Sequence, residues 1–298
     1  MIFCVFSFNR GRFLENCVES IEQCVPDAHV VIFDDDSTDP ETCTFLASLE
    51  ERHTVLKPGS VSSHRLGGLY DNMQAALDYC RDESLVCFLQ DDTQVVRHLD
   101  SSEIGELETR FDNNPALGFI SPCFIRGINR NRGLAYTYDG DSGLYFRSES
   151  SNSAGRFFSA LLIMKPARLL EVEWHFGRSE PENERQAKEV FSPMGYLFAP
   201  FAMWLPEVPA YRGKRKTLGL RLAEKKRNCG YYPFRIMDEA QVRSLKARDP
   251  EVLPYAEDFL NCEPNDPPRP WAYNPLTGTG WLKTLNQIEV SLRRLFSA

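Results

Sequence analysis

No apolar run in this chain of 298 residues approaches the ~20 needed to cross a bilayer, so a helical membrane span is excluded. The opening, MIFCVFSFNRGR, lacks a basic leader and a small-residue cleavage site, and it reads as a first strand. The nine cysteines show no CxxC or other ligand spacing. Their odd number, with Cys4 and Cys87 inside expected strands, favours reduced core thiols in a cytosolic protein. The five histidines form no HExxH or paired motif, which argues against zinc. Internal repeats are absent. Net positive charge is lacking too: the balance is −8, which argues against general nucleic-acid binding. That total hides one basic stretch. Residues 212–248 hold twelve Lys/Arg against three Asp/Glu, leaving −17 for the rest.

What is present alternates between two periods. Apolar β-rich runs fall at 2–8, 29–33, 53–57 and 84–89. Helical periodicity fills 11–24, where Phe13, Leu14, Cys17, Val18 and Ile21 share a face. It returns after Pro40, with Thr38 or Asp39 as cap, and again over 69–80. This βαβ order predicts an α/β fold with a mostly parallel sheet, whose ligands bind beyond the carboxyl ends of the strands. Further strands are expected at 117–125 and within 195–205, a strand leading into a helix over 157–173, and a helix beginning near 181.

Two of the early strands end in acids: VVIFDDDSTD at 30–39 and VCFLQDDT at 86–93. Adjacent carboxylates repel, so such a cluster implies a bound cation or a polar ligand. One chemistry is sugar transfer from a nucleotide diphosphate, with Mg²⁺ or Mn²⁺ between carboxylates and phosphates. Another is a phosphatase of the haloacid dehalogenase type, because Asp34, Asp36 and Thr38 match DxDxT. Against it, a strand and helix precede the motif, and Lys57 is the lone candidate for the required lysine. A third reading is a non-catalytic nucleotide-sugar-binding protein, which Gln90 and Asn183 permit.

The segments FSFNRGRFLENCVESI, VVIFDDDSTD, GGLYDNMQAALDYC, VCFLQDDTQV, FFSALLIMKPARLLE and GYLFAPFAMWLPEV, in that order, resemble the inverting family 2 glycosyltransferases of GT-A fold. The likeness runs over roughly 2–205. It implies that Asp35 contacts the nucleotide base, that Asp91 lies near the ribose or donor sugar, and that Asp92 ligates the metal. It also places Asn9 and Arg10 at the nucleotide edge. The metal motif departs from the family pattern, since Gln90 stands where a first acid often falls. The family's Glu-Asp pair, about twelve residues before its Gly-Tyr strand, maps onto EPENER. Asn183 cannot serve as a carboxylate base, so Glu184 is the first candidate and Glu182 the second.

The resemblance implies a GT-A domain over 1–211 followed by a basic, proline-rich extension over 212–298. It implies a nucleotide-sugar donor, UDP-sugar favoured, and a glycan or lipid-linked acceptor in surface or secreted glycan assembly. The setting expected is cytoplasmic, with peripheral contact at the inner membrane face open through 212–248. The last helix carries Trp281, Leu285, Ile288, Leu292, Leu295 and Phe296 on one face. Packing on its own domain is expected, with subunit pairing and membrane contact as the other readings.

Overall fold

A computed structural model describes residues 1–57, 68–132, 135–148, 155–210 and 216–295. Strands are β1 (Ile2–Ser7), β2 (His29–Asp34), β3 (Thr54–Leu56), β4 (Val86–Gln90), β5 (Thr93–Val95) and β6 (Ile120–Ser121). They continue with β7 (Tyr136–Asp139), β8 (Leu144–Arg147), β9 (Leu162–Met164), β10 (Gly195–Leu197) and β11 (Ala202–Trp204). Helices are α1 (Gly11–Cys24), α2 (Pro40–Leu49), α3 (Gly68–Tyr79), α4 (Ser101–Asn113) and α5 (Pro166–Glu171). The later ones are α6 (Glu180–Val190), α7 (Leu218–Arg227), α8 (Glu239–Ala247), α9 (Ala256–Phe259) and α10 (Gly280–Leu295).

Nine strands form one sheet in the order β3-β2-β1-β4-β9-β6-β10-β8-β7. The β3-β2-β1-β4 block is parallel, and β6 and β10 run the same way; β9 and β8 oppose their neighbours. The expected α/β class and mostly parallel sheet are therefore present. Alternation of side chains decides the two faces. Phe3, Val5, Val30, Ile32, Cys87 and Leu89 turn into one core, with α1 and α2. Ile2, Cys4, Phe6, Val31, Phe33 and Phe88 turn into the other, with α3 and Trp174.

Local sequence explains the element ends. Asp39 caps α2 by accepting from Thr42 N at 3.0 Å, with Pro40 at the first helical position. The apolar run 117–125 yields only the two-residue β6, because Pro122 has no N–H to extend a ladder. Its carbonyl instead accepts from Phe201 N and Ala202 N. The run 195–205 divides into β10 and β11 around Pro200.

The packing does not divide the chain near 211. Phe234, Met237, Leu245, Leu260 and Trp271 join the same buried cluster as Phe3 and Val5. Gln94 donates to Phe234 O at 2.7 Å and accepts from Phe234 N at 2.8 Å. Buried Glu207 pairs with Arg227 at 2.6 Å and accepts from Ala272 N at 2.9 Å. Lys214, Arg215 and the side chains of Leu295 and Phe296 lie outside the described residues. Among the described residues no helix is long and apolar enough to cross a membrane.

Candidate active site

The two acid clusters flank the end of one strand. Asp35 N donates to Ser7 O on one side of β1, and Asp91 N donates to Phe6 O on the other, each at 2.9 Å. Strands lie about 4.8 Å apart, so the two chain positions are roughly 10 Å apart across the sheet edge. That span suits a ligand of nucleotide size lying over the end of β1.

The first cluster shares its work. Buried Asp34 accepts from Ser37 N at 2.8 Å and from Ser37 Oγ at 2.5 Å, closing an Asx turn. Both its oxygens are engaged in holding the turn. Asp36 is exposed and takes a positive φ of 54° to turn the chain. Asp35 is half-buried, and among the described residues its carboxylate has no hydrogen-bond partner. Burial pushes its pKa up, and Asp34, Asp36 and Asp71 push it further. Gly68 opens the room for it: a Cβ there would stand 2.1 Å from Asp35 Oδ2.

The second cluster is clamped by Arg10. One guanidinium nitrogen, Nη1, lies 2.7 Å from Asp92 Oδ2 and 3.2 Å from Asp91 Oδ1. Phe8 N donates to Asp91 Oδ2 at 3.1 Å. Burial raises the Asp91 carboxyl, Arg10 opposes it and Asp92 adds to it, and the outcome is a pKa of about 6. Burial would lower the Arg10 pKa, but Asp91 and Asp92 outweigh it and push it up. Asp92 Oδ1 is buried without a partner. Asn9 is used differently. Its Oδ1 accepts from Thr38 N and Asp39 N, at 2.6 and 2.7 Å, bracing β1 against the turn before α2.

The carboxylates near α6 separate into distinct jobs. Glu184 accepts from the four successive backbone N–H groups of Gly155, Arg156, Phe157 and Phe158, at 2.8–3.2 Å. It is the anion in a backbone nest and holds that loop. Glu182 is exposed and accepts from Arg178 N at 2.7 Å. Asn183 is buried and bonds Gly177 N, Gly177 O and Ser179 O.

Glu180, at the start of α6, has neither hydrogen bond nor ion pair among the described residues. It keeps an exposed flank. Burial pushes its carboxyl pKa up, Arg126 opposes and Glu184 adds. Its charge also helps burial raise the phenol of Tyr70 on α3. Arg126 in turn stacks 4.0 Å from the ring centroid of Trp204, whose strand pairs with Thr93. Leu205 N donates to Asp92 O. Asp92, Trp204, Arg126, Glu180, Tyr70, Gly68 and Asp35 thus follow one another as neighbours in space or along α3.

The family model for glycosyl transferase family 2 matches residues 2–154. The chain belongs to glycosyl transferase family 2. The mostly parallel sheet flanked by helices agrees with that membership, and the family match rather than a phosphatase reading covers the DxDxT spacing at Asp34, Asp36 and Thr38. Among solved structures, the transferase is similar to S. aureus TarS 1–349 in complex with UDP, at 15% identity and a TM-score of 0.47, covering 83% of this chain and 70% of that one. A second TarS 1–349 structure shares 14% identity with a TM-score of 0.44, covering 68% and 60%. The bifunctional glycosyltransferase WbbM shares 12% with a TM-score of 0.40, covering 66% and 38%. The chain therefore spans 60% of the second TarS chain and 38% of WbbM. No curated protein matches the chain.

Sequence reading had located the acids of both clusters and Arg10. It missed Glu180, which stands two positions from Glu182, and Arg126, which carries no local signal.

Proposed function

We propose that the protein transfers a sugar from a nucleotide diphosphate, UDP first among them, to an acceptor hydroxyl with inversion, in assembly of a surface or secreted glycan. The observation that carries this is the pairing across β1. An Asp35 carboxylate with no hydrogen-bond partner among the described residues stands on one side, and Arg10 grips the Asp91–Asp92 pair on the other.

In this reading Asp35 accepts a hydrogen bond from the base or ribose, and Asp91 holds Arg10 toward the diphosphate. The orphaned Asp92 Oδ1 fits a Mn²⁺ or Mg²⁺ ion. No cluster of three His, Cys, Asp or Glu stands ready for a metal among the described residues, so the donor phosphates would complete its shell. A bound ion there would add positive charge beside the leaving diphosphate. The acceptor oxygen forms its bond to the anomeric carbon as the carbon–phosphate oxygen bond breaks. The diphosphate leaves with that electron pair.

The hydroxyl proton passes to a carboxylate. Glu184 and Glu182 were the expected bases; Glu184 accepts four backbone N–H groups, and Glu182 accepts one through Oε2. Glu180 is the base this reading favours: without a hydrogen bond or ion pair among the described residues, solvent-reachable and with a raised pKa. The family likeness supports a lipid-linked or glycan acceptor.

The test is a thermal-shift panel of UDP, GDP, dTDP and CDP with and without Mn²⁺, followed by turnover. A diphosphate at a hundred times its Kd stabilises by about 2.7 kcal/mol, a shift of several degrees. Asp92→Ala should abolish the Mn²⁺ dependence. Glu180→Gln should keep UDP binding and lose at least about 100-fold in kcat. Stabilisation by none of the four rejects the reading. Binding without turnover by the native chain leaves a nucleotide-sugar-binding protein instead.

A further inference from the structure

The last helix packs by the Leu282–Leu285 edge, and most of the stripe its sequence advertises is not used. Leu282 is buried and Leu285, Asn286, Glu289 and Val290 are covered, facing α7. The contact is close at Gly219, where a Cβ would meet Asn286 N at 2.7 Å and Leu282 O at 2.8 Å. Thr217 Oγ1 donates to Asn286 Oδ1 at 2.6 Å, and Leu218 N donates to Glu289 at 2.6 Å. Most of the apolar stripe is left outside: Trp281 is 64% exposed, Ile288 54% and Leu292 47%. On α7, Leu218 and Leu222 are exposed as well. These five are a majority of the nine large apolar side chains exposed among the described residues, gathered on one helix pair.

Charge on the pair is arranged with the same bias. Lys216, α7 and α10 carry eight Lys/Arg against two Asp/Glu, in a chain of net charge −8. Both acids are tied up inside the pair. Glu224 accepts from Ala210 N and Lys216, and Glu289 from Leu218 N and Arg293. Arg221, Lys225, Lys226 and Lys283 are exposed and have no ion pair among the described residues. The outward side thus offers apolar residues and unpaired cations with no free carboxylate.

We infer that the α7–α10 face lies on an anionic lipid surface. Trp281, Ile288 and Leu292 enter the boundary between headgroups and acyl chains. Lys225 and Lys226, on α7 beside the exposed Leu218 and Leu222, stay at the level of the lipid phosphates. A tryptophan with an apolar stripe and lysines beside it is the composition an interfacial helix uses. A second copy of the chain is a poor occupant, since two faces with a balance of +6 repel. The inference stands on this face alone and not on the sugar-transfer reading.

The test is co-sedimentation of the full chain with phosphatidylcholine vesicles, with and without phosphatidylglycerol, at low and high salt. Tryptophan emission is followed alongside. Binding to the anionic vesicles alone, with a blue shift and loss at high salt, is expected. The double variant Lys225→Glu/Lys226→Glu should weaken partitioning by at least about 30-fold. Trp281→Ser/Ile288→Ser should abolish the blue shift while leaving the melting temperature unchanged, because both positions are exposed. Equal binding to neutral and anionic vesicles overturns the inference. So does full binding by the Trp281→Ser/Ile288→Ser variant, or absence of vesicle binding with dimerisation in light scattering, which assigns the face to a second copy.

Discussion

Gly68→Ala isolates the role of Asp35 without touching Asp35. The new Cβ would stand 2.1 Å from Asp35 Oδ2 and 2.5 Å from its Cγ, inside the 3.0 Å that Cβ atoms keep from neighbours. The clash is with the end of a side chain, so Asp35 rotates away and the backbone stays. Alanine also favours a helix over glycine by up to about 1 kcal/mol, so the melting temperature should hold or rise. What is lost is the carboxylate at the ligand. A hydrogen bond to a charged group is worth about 1.5–3 kcal/mol, which corresponds to about 10- to 150-fold in Kd for UDP. Titration calorimetry reads this directly. Asp35→Ala should lose a similar amount, and the double variant should lose no more than Asp35→Ala alone, because both changes remove one contact. Wild-type affinity in Gly68→Ala, or losses that add in the double variant, would refute the reasoning.

Other consequences follow from the same geometry. Arg10→Ala strands the buried Asp91 carboxylate and the partly buried Asp92 and should cost about 3 kcal/mol in urea unfolding at pH 8. The cost should shrink at pH 5, where Asp91 can take a proton. With a folded pKa of about 6, above its ordinary 3.8, Asp91 binds protons more tightly folded than unfolded. Its contribution to stability is therefore greatest in acid and falls as pH rises from about 4 through 6, visible in the pH dependence of unfolding. A cation favours the ionised pair, so Mn²⁺-dependent UDP affinity should rise between pH 5 and 7 and then level. Glu184→Gln should lose about 1.5–3 kcal/mol of stability and speed hydrogen exchange at residues 155–158, with UDP affinity unchanged.

The first half of the fold was legible because local signals agree there. The α1 periodicity, Asp39 before Pro40 and the alternating strands each point to the element observed. That the acids at 34–36 and 91–92 share one sheet edge was legible because βαβ order sends both there. Division of labour among them was not, since Asp34 and Asp35 differ only in which oxygen Ser37 and Gly68 approach. The contacts of Glu184 were hidden for the same reason. Spacing pointed to Glu184, but the N–H groups that engage it come from residues 26 to 29 positions earlier, beyond any local pattern. For α10, the strongest apolar stripe was read as the packing face, while the close approach at Gly219 turns most of that stripe outward.

The Gln94 amide exchanges two hydrogen bonds with the backbone of Phe234, 140 residues further on, besides accepting from Asn16 Nδ2. At a synthesis rate of about 5–20 residues per second, the nascent chain carries that amide and the bare sheet face around it for roughly ten seconds or more. A ribosome must therefore release the C-terminal lining before the nucleotide half can close. Cutting the chain at 211 would remove Phe234, Met237, Leu245, Leu260 and Trp271 from that core and leave its sheet face bare.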